Sequence, residues 1–391
     1  MIELADRGNR ISPSITFAIA SKAKALKAQG VDVCDFSVGE PDFNTPELMR
    51  EAAKAALDAG KTKYAPTAGL PELRSAIAEK LKRDNGLAYA PEQVMVTVGG
   101  KHALFNTLMV LLNPGNEAIV PTPAWVTYPE IVKLTGAKAV FVTTNETNGF
   151  KLSGKQLADA VTPRTRVLIL NSPCNPTGAV YTAQEIRALA EVIVEHQIVV
   201  ISDEIYEKLI YDGLEHLSIG SLDDEIHKLT VTCSGFSKAF AATGWRLGFA
   251  AGPKAVIKAA TALQSHSTSG ATTFAQYGAL AALQAASLEE TVEEMRTIFQ
   301  ARRDLIVSEL QQISGLTCAM PHGAFYAFPN ISQTGLDSMT FCERLLDAEQ
   351  VATVPGVAFG ADSNIRISYA TDTGTLREGL ARLRRFVATL G

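Results

Sequence analysis

Between residues 46 and 286 two hydrophobic rhythms alternate along the chain. "TPELMREAAKAALDAG" (45–60) spaces its apolar residues three and four apart. Thr45 reads as its N-cap, Pro46 as its first helical residue and Gly60 as its end. "TAQEIRALAEVIVEH" (182–196) has the same period and opens with Thr182 and Glu185 at capping-box spacing. Between such helices lie the short apolar runs "VMVTV" (94–98), "AIV" (118–120), "VFV" (140–142), "VLIL" (167–170), "IVVIS" (198–202) and "LTVTC" (229–233). None alternates with polar residues, so each predicts a strand buried on both faces. Together they predict a mostly parallel sheet covered by helices, an α/β fold.

After residue 286 the rhythm changes. "SLEETVEEMRTIFQARRDLIVSELQQI" (287–313) predicts one long helix with no internal Gly or Pro. A hairpin-like "GAFYAFPN", a helix near 338–348, the run "IRISYA" and a final helix from about 374 follow. The chain of 391 residues exceeds what one core usually holds. The predicted division is a large domain over 46–286 and a smaller α+β domain made from 1–45 and 287–391.

Composition removes several function classes. The chain is 47% hydrophobic and 20% charged, and its net charge of -5 gives no electrostatic reason to expect nucleic acid. The five cysteines (34, 174, 233, 318, 342) are widely spaced with no CxxC pair. That pattern fits reduced thiols in the cytoplasm and predicts no metal site. The apolar stretch Ile15 to Ala20 is short for a signal-peptide core, and no run approaches membrane-spanning length, so no membrane partner is expected.

Candidate chemistry gathers where the predicted strands end, which in an open parallel sheet is where ligands bind. The residues are Gly99 and Gly100 after 94–98, Trp125 after 118–120, Asn175 after 167–170, Asp203 with Tyr206 after 198–202, and Lys238 after 229–233. Taken singly each has a plain structural reading: a helix cap, a packing aromatic, a turn, a cation in solvent. Taken together they match one ligand. A glycine pair opening a helix frees backbone N–H groups for a phosphate, and Arg246 adds a charged fork. A carboxylate, a tyrosine and an asparagine can hydrogen-bond a heterocycle stacked on Trp125, beside a lysine able to form a Schiff base. Pyridoxal 5'-phosphate needs all of these at once.

These residues sit in "GEPDFNTP", "KTKYAPTAGLPELR", "VTVGGKHALFN", "NSPCNPTGAVY", "SDEIYEKLIY", "SGFSKAFAATGWRLG", "GAFYAFPN" and "IRISYA". Through them the chain resembles, nearly end to end, the fold-type I pyridoxal-phosphate enzymes, and among those the class I aminotransferases of the aspartate aminotransferase group. The resemblance implies a seven-stranded, mostly parallel sheet and a homodimer with sites at the subunit interface. It implies Lys238 as Schiff-base lysine and proton shuttle, Asp203 at the pyridinium nitrogen, Tyr206 and Asn175 at the phenolic oxygen, and Trp125 on the ring. Ser237, Arg246 and the amides around Gly100 and Lys101 would hold the phosphate, with Tyr64 reaching it from the partner subunit. Arg366 would grip the substrate α-carboxylate beside Gly39, with Trp125 and Asn175 also lining the substrate. For the distal carboxylate the resemblance offers Lys101 with Ser14 and Thr16; Ser12 stands where a basic residue accompanies prephenate use. Cys174 and Ser234 depart from the common pattern.

The implied reaction moves an amino group between L-aspartate and 2-oxoglutarate by a ping-pong mechanism. Alternatives are an aminotransferase for aspartate and prephenate, for aromatic substrates or for alanine, and a pyridoxal-phosphate lyase on the same fold.

Overall fold

The computed structural model describes residues 5–11 and 15–390, apart from the side chains of Arg10 and residues 15–18. Ser12 and Ser14, and the side chain of Thr16, therefore lie outside the described residues. The first strand, β1 (Cys34–Asp35), pairs far along the chain. Seven strands then build the main sheet: β2 (Val94–Val98), β3 (Glu117–Thr122), β4 (Lys138–Thr143), β5 (Thr165–Asn171), β6 (Val199–Asp203), β7 (Thr230–Gly235) and β8 (Leu247–Ala251). Their order is β2-β8-β7-β6-β5-β3-β4. All run in one direction except β8, which is antiparallel to both of its neighbours.

Side-chain alternation divides the inner strands between two helical layers. Val120, Ile169, Ile201 and Val231 pack with Leu104, Leu108 and Ile131. Their neighbours Ile119, Leu168, Leu170 and Val200 pack with Ile186, Leu189 and Ile193 on the opposite face. Burial on both faces explains the unbroken apolar runs. β4 departs from that expectation: it is the sheet edge, only partly covered, with Phe141 55% exposed.

The helix signals hold with one correction. Thr182 and Glu185 form the reciprocal capping box before Ala183–Glu195. The helix expected from residue 45 is Glu47–Asp58, with Pro46 rather than Thr45 at its cap. Thr45 instead donates its hydroxyl to the Ala241 carbonyl at 2.8 Å, tying the segment to the loop after β7.

The C-terminal part carries β9 (Tyr326–Ala327), β10 (Val351–Ala352), β11 (Val354–Pro355) and β12 (Ile365–Ser368). β10 pairs with β1, and β12 lies between β11 and β9. Phe36, Phe299, Ile306, Phe325, Phe341 and Leu380 form its core. Helix Ser287–Leu310 belongs to both halves: Leu288 packs with the large-sheet core, while Phe299, Ile306 and Leu310 pack with the second. One rigid rod thus joins the two cores.

Candidate active site

The carboxyl ends of the parallel strands open on a cleft of about 720 Å³ that also reaches the segment after β1 and strand β12. Among the expected residues, Gly39, Gly100, Lys101, Trp125, Asn175, Asp203, Tyr206, Ser237, Lys238, Arg246 and Arg366 line it. Gly99 stands just behind the wall, and Tyr64, 95% exposed, lies away from it.

Asp203 ends β6 and is buried. Its carboxylate accepts the Tyr128 hydroxyl at 2.7 Å and the Ile205 amide at 3.3 Å. Burial pushes its pKa up to about 6 against those two hydrogen bonds, with Glu204 adding to the rise. Lys238 follows β7 and donates to the Gly39 carbonyl at 2.5 Å. Burial, with Arg366 as the next cause, brings its pKa down to about 8. A protonated carboxyl and a deprotonated amine both come within reach near neutrality, the condition general acid–base chemistry needs.

Arg366, on β12, is buried. Nη1 donates to Asn175 Oδ1 at 3.0 Å and Nη2 to the Ser37 carbonyl at 2.9 Å. Its guanidinium carbon lies 4.5 Å from the Tyr326 ring centre and 5.1 Å from that of Phe359. Nε is buried with no partner among the described residues. A fixed cation with spare donors facing a cleft is built for a carboxylate. Gly39 is required nearby, because a Cβ there would come 2.8 Å from the Tyr326 hydroxyl.

At the other side, Gly99 (φ +79°) caps helix Gly100–Leu111. A Cβ on Gly99 would meet Arg246 Nη2 at 2.6 Å, so the guanidinium rests against bare backbone at a helix N-terminus. Arg246 stands at the start of antiparallel β8, which brings it to the same sheet edge as the ends of the parallel strands. The Lys101 ammonium lies 4.9 Å from the Trp125 ring centre, and burial with the nearby Arg246 charge lowers its pKa.

Pyridoxal phosphate fits these groups. The helix N-terminus and Arg246 suit its phosphate, the buried Asp203 carboxylate suits a ring N–H⁺, and the Lys238 amine suits its aldehyde. Three residues of the arrangement were not singled out from sequence. Tyr128 sits three residues after Trp125 and packs edge-on against it, 5.5 Å between centres. Tyr326 meets Tyr206 hydroxyl to hydroxyl at 2.8 Å. Asn171 accepts the Asn175 amide at 2.9 Å and donates to the Asp203 carbonyl at 2.9 Å. Ser234 also gains a place: its hydroxyl donates to the Glu204 carbonyl at 3.3 Å.

Comparison with known proteins agrees with this geometry. The profile of class I and II aminotransferases matches residues 31–383. Aspartate aminotransferase of Bacillus subtilis is 48% identical over 391 residues, covering 99% of each chain. Aspartate/prephenate aminotransferase of Cereibacter sphaeroides is 46% identical and covers 100% of each. Among solved structures, aspartate aminotransferase of Thermus thermophilus with maleate superposes with a TM-score of 0.95 at 47% identity, covering 98% of this chain and 100% of the other.

Proposed function

The chain belongs to the class I and II aminotransferase family, and from that premise we propose that it transfers the amino group of L-aspartate to 2-oxoglutarate, with pyridoxal 5'-phosphate as cofactor. The observation that carries the substrate choice is a pair of cations in one cleft, the buried Arg366 and the more exposed Lys101. A dicarboxylic substrate can engage both, and a monocarboxylic one only Arg366. The relatives named for aspartate support the same choice.

When bound, the cofactor supplies an electron-withdrawing ring that holds the electron pair left as the substrate Cα–H bond breaks. Arg366 orients the α-carboxylate, with Asn175 and the Ser37 carbonyl holding its fork in place. Lys238, with its depressed pKa, would take the Cα proton as a neutral amine and hold it on Nζ as an ammonium, available for the reprotonation that completes the transfer. Asp203 keeps a proton at the ring nitrogen, and Tyr128 fixes the carboxylate that does so. Gly99, Gly100, Ser237 and Arg246 hold the phosphate, Trp125 covers the ring, and Tyr206 with Asn175 attends the ring oxygen.

We assign the 46–286 and 1–45/287–391 parts as domains, supported by two apolar clusters that lie wholly within the first part; the cluster of the second also takes in Tyr206, Leu209 and Tyr211. A homodimer is supported by Tyr64, which is exposed here and free to enter a partner's phosphate site. No described helix is long and apolar enough to cross a membrane; the five buried free thiols support a cytoplasmic setting.

The test is a donor screen with 2-oxoglutarate, scored as glutamate formed. Aspartate should lead alanine and phenylalanine in kcat/KM. Preference for an aromatic or neutral donor would overturn the assignment, and release of ammonia and pyruvate would mark a lyase. Running the same screen with prephenate as acceptor tests the activity for which the Cereibacter sphaeroides relative is named.

A further inference from the structure

Glu204 follows Asp203 in "SDEIYEK", yet none of the chemistry above uses it. Asp203 lines the cleft and Glu204 does not. The Glu204 carboxylate is 1% exposed and fully engaged. Oε1 accepts the Ser202 hydroxyl at 2.8 Å, and Oε2 faces the Ser218 hydroxyl at 2.6 Å, His216 Nε2 at 2.8 Å and Asn85 Nδ2 at 3.1 Å. Its backbone is held as firmly. The Glu204 amide donates to the Cys233 carbonyl at 2.9 Å, and the Ser234 hydroxyl donates to the Glu204 carbonyl. The turn that aims Asp203 is thus tied to β7, to helix Pro71–Asn85 and to the loop at 216–218.

The surrounding charges are paired. Lys80, Arg83 and Asp84 come from helix Pro71–Asn85, with Arg83 bridging Asp84 and Glu289; Glu207 and Lys208 come from the turn after β6, and His216 from the next loop. The buried Tyr89 phenol and Cys233 thiol also face Glu204. Lys80 pairs with Glu207, and Lys208 with Asp84 at 2.7 Å, leaving His216 as the counter-ion of Glu204. Burial favours neutral forms for both, but their mutual attraction outweighs it, holding Glu204 below and His216 above their ordinary pKa values. Glu204, Glu207 and His216 could between them ligate a cation, but the Lys80 ammonium already sits against Glu207. A buried ion network adds little net stability over apolar packing, so its place one residue from Asp203 calls for another account.

We propose that Glu204, with His216 as its counter-ion, is a positioning residue for transamination: it fixes the turn that presents Asp203 and balances the charge behind that carboxylate. Removing the Glu204 charge also removes the attraction that keeps buried His216 protonated, so His216 turns neutral and what is lost behind Asp203 is the hold on its turn rather than a single charge. Removing His216 leaves one uncompensated anion, which favours protons on the cofactor. The inference rests on the pyridoxal-phosphate aminotransferase reading.

The experiment compares Glu204→Gln, His216→Asn and the double variant as holoenzymes. The midpoint of the pH titration of the cofactor's visible absorbance is the main readout. His216→Asn should raise it by about half a unit to one unit, and Glu204→Gln should leave it near the wild-type value because His216 loses its proton along with its partner. The double variant should return close to wild type. For Glu204→Gln, kcat with aspartate should fall about tenfold while KM changes less than about twofold. A midpoint that stays put in His216→Asn, or a kcat unchanged in Glu204→Gln while only the melting temperature drops, would reduce the network to a structural brace and overturn the proposal. If Glu204→Gln fails to fold, His216→Asn decides alone: a raised midpoint upholds the proposal, and an unchanged or lowered one overturns it. A wild-type enzyme without the cofactor absorbance would instead defeat the cofactor assignment itself.

Discussion

Burial drives Asp203 and Lys238 in opposite directions, the acid up to about 6 and the amine down to about 8. Both shifts destabilise the empty protein near neutrality. For Asp203 the folded pKa lies above its unfolded value of 3.8, so the folded chain binds the proton more tightly. Its contribution to stability is full below the unfolded value and is lost as pH rises through 6. Asp203→Asn should therefore stabilise the cofactor-free protein at pH 7.5, on the order of 2 kcal/mol, with no gain at pH 3.5. Urea unfolding at the two pH values measures this, and the same variant should lower transamination by several orders of magnitude. Arg366→Lys keeps the charge and loses the fork, so kcat/KM should fall for every amino acid alike. Lys101→Ala should weaken aspartate and glutamate about tenfold to a hundredfold and spare alanine. A uniform loss in a substrate panel would place Lys101 with the cofactor instead. Sequence made Asp203, Asn175 and Lys238 legible because each stands at or just after the end of a buried-type strand. Tyr128 and Tyr326 stayed hidden, since nothing local separates a tyrosine whose hydroxyl works from one that only packs.

Helices were legible where capping chemistry marks their ends, as at Thr182, because caps act within one turn. Strands were legible where both faces are apolar and branched. β8 was not: "LGFAA" has no β-branched residue, and its glycine serves contact rather than propensity. A Cβ on Gly248 would come 2.4 Å from the Gly100 amide nitrogen, so only glycine lets β8 pass under the start of helix Gly100–Leu111. The same helix start depends on Gly99, whose positive φ and contact with Arg246 both exclude a side chain. Gly99→Ala should displace Arg246 and weaken cofactor affinity at least tenfold, through backbone strain of about 1 kcal/mol and loss of phosphate contacts. Equilibrium dialysis of the cofactor against wild type measures this, with far-UV circular dichroism as the check on folding.

Among the described residues, Tyr64 is the expected site residue that stands well away from its own chain's cleft, almost fully exposed. Tyr64→Ala should leave the melting temperature of the cofactor-free protein nearly unchanged and lower cofactor affinity. Hybrid dimers of Tyr64→Ala with Lys238→Ala place both lesions in one site and none in the other, so mixing should restore sites of wild-type affinity. Two equally defective populations would show that Tyr64 does not cross between subunits. The sheet order sets a timetable as well. β2 has β8 as its sole neighbour in the sheet, and β8 leaves the ribosome after β3, β4, β5, β6 and β7 have all been made. Until Arg246 and Leu247 emerge, Val98 has no strand to pair with and Gly99 has no guanidinium to face. On the proposed reading the phosphate cradle is encoded early and completed late, so a nascent chain stopped before residue 246 carries most of a sheet and is expected not to bind pyridoxal phosphate.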